Sequence, residues 1–417
     1  MISKGRVTRI GLFFAIANFL ATAGIGVLLR YNGISPIESF SDRYWIHAHS
    51  HAGFLGWIFM ALVTLAFAMI LPKSARTNRR MYRLLIYMQI AVIGMLVTFP
   101  FMGYAAPSIF FSTAHMIFSF VFVVLFFRQV ASNSLSVKFF KAGLVFMLIS
   151  GLGPIALGPI IVFDLRDTAV YDMAVYFYLH FQYNGWFTLA VFGLLFKFME
   201  DLGSTVDSVK GRTLYRLLVY SVILTLALSA IGFQNARYAR VVGIGGALMQ
   251  LWAGYLLLMI LFKKDRFAAY VKGGLAKWLF GIALFSWLLK IMMQMLSGLP
   301  VISDFVYLSR DAIMMYLHLS FLGFATCFIF GLLLIKNHLF TINLVSKIGF
   351  GVIVTGIIVM EVAIGLRSLP QYLSLELMQS LNQILFFDSI LIFTGVFIIL
   401  FFAFLLSNRA IKQRYYS

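Results

Sequence analysis

The amino-acid sequence predicts an all-α integral membrane protein of about twelve transmembrane helices, and three observations predict it. Hydrophobic residues make up 62 % of the 417 residues and charged residues 11 %, whereas about a quarter of a soluble domain is charged. The mean hydropathy is +0.96. The apolar residues come in runs of about twenty, the length a helix needs to cross a bilayer. These runs are apolar all round, while the strands of a membrane β-barrel alternate apolar and polar residues.

Counting about 20 residues per span, the runs fall at 9–29, 47–71, 84–104, 108–127, 141–162, 174–197, 214–233, 241–262, 277–296, 312–335, 347–366 and 384–406. Lys4, Arg6 and Arg9 precede the first run, and no small-residue cleavage site follows it. That segment reads as an uncleaved first span. With the N-terminus inside, the cytoplasmic side receives 25 of the 33 Lys and Arg, the outer side receives seven, and Lys290 lies within a span. The positive-inside rule therefore places both termini in the cytoplasm of a multi-pass protein of the inner (cytoplasmic) membrane. It also accounts for the net charge of +19, so the partner of this basic chain is the lipid bilayer and not nucleic acid. Cys327 is the single cysteine, which excludes an intramolecular disulfide and a thiolate cluster. The connections are short, so residues 1–417 read as one polytopic domain.

An internal repeat runs through this pattern. His51-Ala-Gly-Phe-Leu-Gly56-Trp57, His180-Phe-Gln-Tyr-Asn-Gly185-Trp186 and His318-Leu-Ser-Phe-Leu-Gly323-Phe324 share His, four residues, Gly and an aromatic residue. They sit on the second, sixth and tenth spans, so the helices divide into three pseudo-symmetric groups of four, about 1–140, 141–276 and 277–417. A glycine five residues beyond the histidine leaves room for another helix or a flat ring. All three spans run from outside to inside, which places their histidines near the outer leaflet.

Histidine inside a span is costly to bury unsatisfied and marks a functional candidate. His47, His49 and His51 lie within five residues. At 3.6 residues per turn, His47 and His51 share a face and His49 points about 160° away. His115 enters from the outside on the fourth span, at a comparable depth. His338 follows the tenth span on the cytoplasmic side and reads as a loop residue. Neutral imidazole suits iron, copper or zinc. Haem needs one or two axial imidazoles and a slot between helices, whereas copper or zinc needs three or four convergent groups. His51 and His318 could clamp a haem b, leaving His47, His49, His115 and His180 for a second metal, copper or zinc, or for contacts to the haem propionates.

Twelve helices in three groups of four, with histidine at the outer ends of the second, sixth and tenth, resemble subunit I of the haem-copper oxidase superfamily, in particular its nitric-oxide-reductase and C-family branch. The resemblance covers essentially the whole chain. It implies a low-spin haem held by His51 or His49 and by His318, and a copper ligand at His180. Two departures accompany it. The seventh span contains no histidine where the family has an adjacent pair, and Tyr316 stands where the family's tenth helix carries a second histidine. A standard binuclear oxygen-reducing centre is therefore not assembled from this sequence. The polytopic haem- and copper-containing NnrS family is a second, less specific resemblance.

Other polar residues in the spans carry two readings each. Lys290 and Glu361 form a proton path or ion pair, or Lys290 snorkels to the interface. Gln234, Asn235, Arg237 and Arg240 hold propionates or anchor the interface. Tyr171, Tyr176, Tyr178 and Tyr183, with Trp45, Trp57 and Trp186, read as an aromatic belt at the headgroups. The function expected is that of a haem-binding, oxidase-like membrane protein in electron transfer or in handling nitric oxide or oxygen. A quinol, a cytochrome or another membrane subunit would donate its electrons, since no Cys-x-x-Cys-His site is present. The rivals are a non-redox copper or zinc transporter or metal-delivery protein, and a catalytically inactive oxidase relative acting as a sensor or assembly factor.

Overall fold

The computed structural model describes residues 4–72, 79–204, 206–232, 237–262, 274–335, 344–369 and 372–406. Gln234, Asn235 and His338 lie outside them. Among the described residues the structure is all-helical. Eleven helices are long and apolar enough to cross a membrane: α1 (Val7–Asn32), α2 (Asp42–Met69), α3 (Arg79–Met102), α4 (Ala106–Gln129), α5 (Leu135–Val162), α7 (Ser208–Ala230), α8 (Arg237–Leu261), α9 (Gly274–Leu296), α10 (Arg310–Ile335), α11 (Leu344–Arg367) and α12 (Leu375–Phe402). Between α5 and α7 lies α6, continuous from Ala169 to Asp201. It is long enough to span, but His180, Gln182, Asn184 and its tyrosines make it more polar than the others.

The chain forms two compact units, one of residues 1–129 and 326–417 and the other of residues 130–325. Within the first, α1 lies against α2 and α12, α3 pairs with α4, and α11 pairs with α12. Within the second, α5 packs along α6 and α7 along α8. Among the apolar spans α2 and α10 are the most interior, with 83 % and 78 % of their windows buried against no more than 56 % for the others, and α6 is buried almost throughout from Phe181 to Met199. All three histidine-bearing helices are thus core helices, and their side chains answer to packing before they answer to lipid.

The repeat has a local structure that its sequence pattern does not announce. Each histidine is the last residue of an α-helical stretch, and the chain then widens into a π-helical segment: Ala52–Phe59 after His51, Phe181–Phe187 after His180 and Leu319–Thr326 after His318. Such segments are rare and concentrate at functional sites. A fourth, Ile399–Leu406, ends α12 without a histidine.

The glycine of each repeat lies inside its π segment and seats the first helix of its group. A methyl group on Gly56 would come 2.9 Å from Asn18 Cβ on α1, one on Gly185 2.6 Å from Phe146 Cβ on α5, and one on Gly323 2.9 Å from Ser286 Cβ on α9. Of the two occupants the spacing allows, a helix or a flat ring, the structure has the helix. The aromatic residue that follows is core as well. Trp57 and Trp186 are 1 % and 0 % exposed. Trp57 stacks on Phe19 at 4.9 Å and donates Nε1–H to Thr326 Oγ1 at 2.8 Å. Their burial corrects the assignment of both to a headgroup belt, and for Trp57 a buried hydroxyl satisfies the indole that water would satisfy at an interface.

Gly185→Ala should therefore overpack the α5–α6 contact and destabilise the protein by about 1–3 kcal/mol, read as a lowered thermal midpoint in detergent. The same substitution at Gly281, which has open space around it, should leave the midpoint unchanged.

Candidate functional site

Widening an α-helix into π turns disturbs the backbone hydrogen-bond ladder, and a buried carbonyl left over must find a donor. In α2 the amide of Met60 bonds to Trp57 O, and Gly56 O receives Asn18 Nδ2 at 2.9 Å instead. The Asn18 amide is itself locked by a reciprocal pair with Gln89, Nδ2 to Oε1 at 2.9 Å and Nε2 to Oδ1 at 3.0 Å. One side-chain clasp thus ties α1, α2 and α3 together where the histidines emerge. In α6 the amide of Thr188 bonds to Gly185 O, and its hydroxyl donates to Tyr183 O at 2.6 Å.

On α2 the histidines divide between two surroundings. His49 faces α1: its Nδ1 donates to Thr22 O at 3.0 Å. Its ring lies beside Gly26, where a methyl group would come 3.4 Å from Cε1. Arg30 is within electrostatic reach of it. His47 and His51 face the aromatic residues at the end of α3. The His51 ring centroid lies 4.4 Å from that of Phe99, and the His47 ring meets Tyr104 edge-on at 4.6 Å. His51 Nδ1 donates to His47 O at 2.9 Å.

His115 on α4 joins the second group, within electrostatic reach of His51. It is 1 % exposed and packs edge-on to Phe59 at 5.0 Å. Ser119 Oγ donates to His115 O at 2.8 Å and lies 3.3 Å from His115 Nδ1. The hydroxyl hydrogen is thus committed, so Nδ1 carries the ring proton and Nε2 the lone pair. The Nε2 atoms of both His47 and His115 are buried with no hydrogen-bond partner. Yet among the described residues no three His, Cys, Asp or Glu side chains are placed to hold a metal ion.

His318 repeats the device of His51, its Nδ1 donating to Met314 O at 2.9 Å. In both rings, and in His49, a backbone carbonyl takes the Nδ1 proton and sets the lone pair on Nε2. His180 is built differently. Its Nε2 donates to Val222 O at 2.7 Å, and its Nδ1 accepts from Asn184 Nδ2 at 3.1 Å. Val222 O is exposed to this bond because α7 tightens into a 3₁₀ turn over Leu226–Ala230, with the Leu226 amide directed to Leu224 O. Both nitrogens of His180 are spent inside the protein, on repairing a neighbouring helix.

The second unit also collects polar side chains around Tyr316. Its hydroxyl reaches Asn184 Oδ1 and Gln294 Oε1, each at 3.4 Å, and its ring lies 5.7 Å from that of Tyr183. Tyr183 therefore belongs to this interior group and not to an aromatic belt. Lys290 does not snorkel: it is 1 % exposed, with Nζ 3.5 Å from Thr188 Oγ1. Arg240 donates to Ser303 Oγ at 3.3 Å. Glu361 in the first unit has both carboxyl oxygens buried without a partner. Asp388 on α12 shares that property and had not been singled out. It was hidden as one carboxylate in a span, and only its burial marks it.

No protein-family model matches the chain, and no curated protein matches its sequence. The residues themselves carry the functional argument.

His180→Phe keeps the ring volume but leaves Val222 O without its donor, which should cost about 1–3 kcal/mol of stability. The expected result is a lower thermal midpoint with unchanged metal and haem content, measured on the same preparation.

Proposed function

We propose that this protein is a haem-binding, oxidase-like protein of the inner (cytoplasmic) membrane, with twelve spans in three groups of four and both termini in the cytoplasm. It works in electron transfer or in handling a diatomic gas such as nitric oxide or oxygen. The observation that supports this best is the tautomer set on His49 and His318. Metal-ligating imidazoles almost always donate the other ring N–H to a carbonyl, carboxylate or water, which orients the ring and raises the basicity of the ligating nitrogen. Both residues have that bond, to Thr22 O and to Met314 O. The sequence resemblance implies that these two residues would hold one haem b.

The choice of His49 over His51 rests on surroundings. His49 stands alone of the three against a glycine, with an arginine in electrostatic reach, and a guanidinium suits a propionate bidentately. His51 shares its side of α2 with two other imidazoles. When bound, a bis-imidazole haem supplies one-electron transfer at iron, with electrons drawn from a quinol, a cytochrome or another membrane subunit. The chain's own part is to hold the two rings and to keep water from the iron.

One observation favours a second reading, copper or zinc handling. The unsatisfied Nε2 atoms of His47 and His115, beside His51, are donors that a soft or borderline metal would take. The group falls short of a three-ligand centre as it stands, which ranks this reading second.

Protein produced with ample haem should show a Soret band that both His49→Ala and His318→Ala remove, while His51→Ala retains it. Colourless wild-type protein would sink the haem reading, and loss in His51→Ala with retention in His49→Ala would reverse the assignment. Metal analysis separates the readings. Iron with haem supports the first, whereas copper or zinc without haem, lost in His115→Ala, supports the second.

A further inference from the structure

In the second unit two polar rows face each other deep within the helices. On α6, His180, Asn184 and Thr188 recur at intervals of four, and on α9 so do Ser286, Lys290 and Gln294. All six are buried. Residues four apart line one side of a helix, and the two rows meet through Lys290 Nζ with Thr188 Oγ1 at 3.5 Å and through Tyr316, which reaches Asn184 and Gln294.

The rows carry an imbalance of donors. Thr188 has already given its hydroxyl hydrogen to Tyr183 O, so it offers Lys290 only a lone pair, and at a long distance. The other neighbour of the ammonium is the face of Tyr183, 5.6 Å to the ring centroid. No described Asp or Glu pairs with Lys290, and Asn184 Nδ2 is spent on His180. The Tyr316 hydroxyl is shared between two acceptors at 3.4 Å, neither close, so it is free to turn toward a better one. An unpaired ammonium away from water costs several kcal/mol, and this one has a single weak acceptor for three N–H bonds.

We propose that the second unit binds a small monovalent anion, of the chloride or nitrite class, at Lys290. The ammonium supplies the charge, and the Tyr316 hydroxyl and the Gln294 amide supply hydrogen bonds. A small anion is favoured because the Tyr183 ring lies over the ammonium, 5.6 Å to its centroid, and packs edge-on to Tyr316 and Phe321 at 5.7 and 6.2 Å. A divalent anion would carry excess charge into surroundings that offer one cation. The inference rests on these two rows and is independent of any haem.

The test is equilibrium binding of radiolabelled chloride to the full-length protein in nanodiscs, in gluconate buffer, with unlabelled nitrite and sulfate as competitors. Saturable binding near one chloride per chain is expected, displaced by nitrite and not by sulfate. Lys290→Met should abolish it, and Lys290→Arg should retain it with affinity weakened roughly tenfold. Tyr316→Phe, which keeps the charge and the ring, should weaken binding several-fold and guards against a Lys290→Met protein that fails to fold. His49→Ala and His318→Ala should bind chloride as the wild type does, so failure of the haem reading leaves this result standing. No saturable binding by wild type, or equal binding by a folded Lys290→Met, would overturn the proposal.

Discussion

Every polar group carried into the interior of this helical protein must find a partner there, and the places where the backbone ladder is disturbed make that demand most sharply. An α-helix satisfies its own amides, so a wholly apolar span needs nothing from its neighbours. The π segments after His51 and His180 break that independence. Gly56 O depends on Asn18, Asn18 depends on Gln89, and Tyr183 O depends on Thr188. Val222 O, at a different irregularity, depends on His180. Each of these bonds joins two helices or closes a gap within one, and together they hold the histidine-bearing turns in register.

The same accounting sorts the histidines by what each can still do. His180 has both nitrogens committed to the protein and serves the fold. His49, His51 and His318 have Nδ1 committed to a backbone carbonyl, which fixes the orientation of each ring. His47 and His115 keep a buried nitrogen with no partner at all. A motif that looks the same three times in sequence thus yields one histidine bonded through both nitrogens and two that bond back to their own helices. The difference lies in the neighbouring helix: α7 tightens and presents a carbonyl beside His180, whereas His51 and His318 turn back to the carbonyl one turn earlier on their own helices.

Much of this was legible in the chain. Composition and run length determined the membrane class and located eleven apolar spanning helices, most of them to within a few residues, because a bilayer sets both the length and the polarity of what crosses it. The recurrence of His-x₄-Gly-aromatic marked the three helices that each widen into a π segment, and 3.6-residue periodicity separated His49 from His47 and His51. The Ser286, Lys290, Gln294 row was equally present as an interval of four. Trp57 and Trp186 misled because a large amphipathic ring suits an interface and a packed core equally well, and the sequence does not show which it meets.

The sequence by itself determined the all-helical class, the repeat and the two directions of the α2 imidazoles, all of which follow from local chemistry and helix geometry. Only the tertiary structure decided what stands in those directions: Thr22 and Gly26 beside His49, Phe99 and Tyr104 beside His47 and His51, and Val222 O beside His180. It also decided that the repeat glycines seat helices and that Lys290 stays buried. Those outcomes depend on side chains and carbonyls brought from distant parts of the chain, and helical periodicity says nothing about a neighbour.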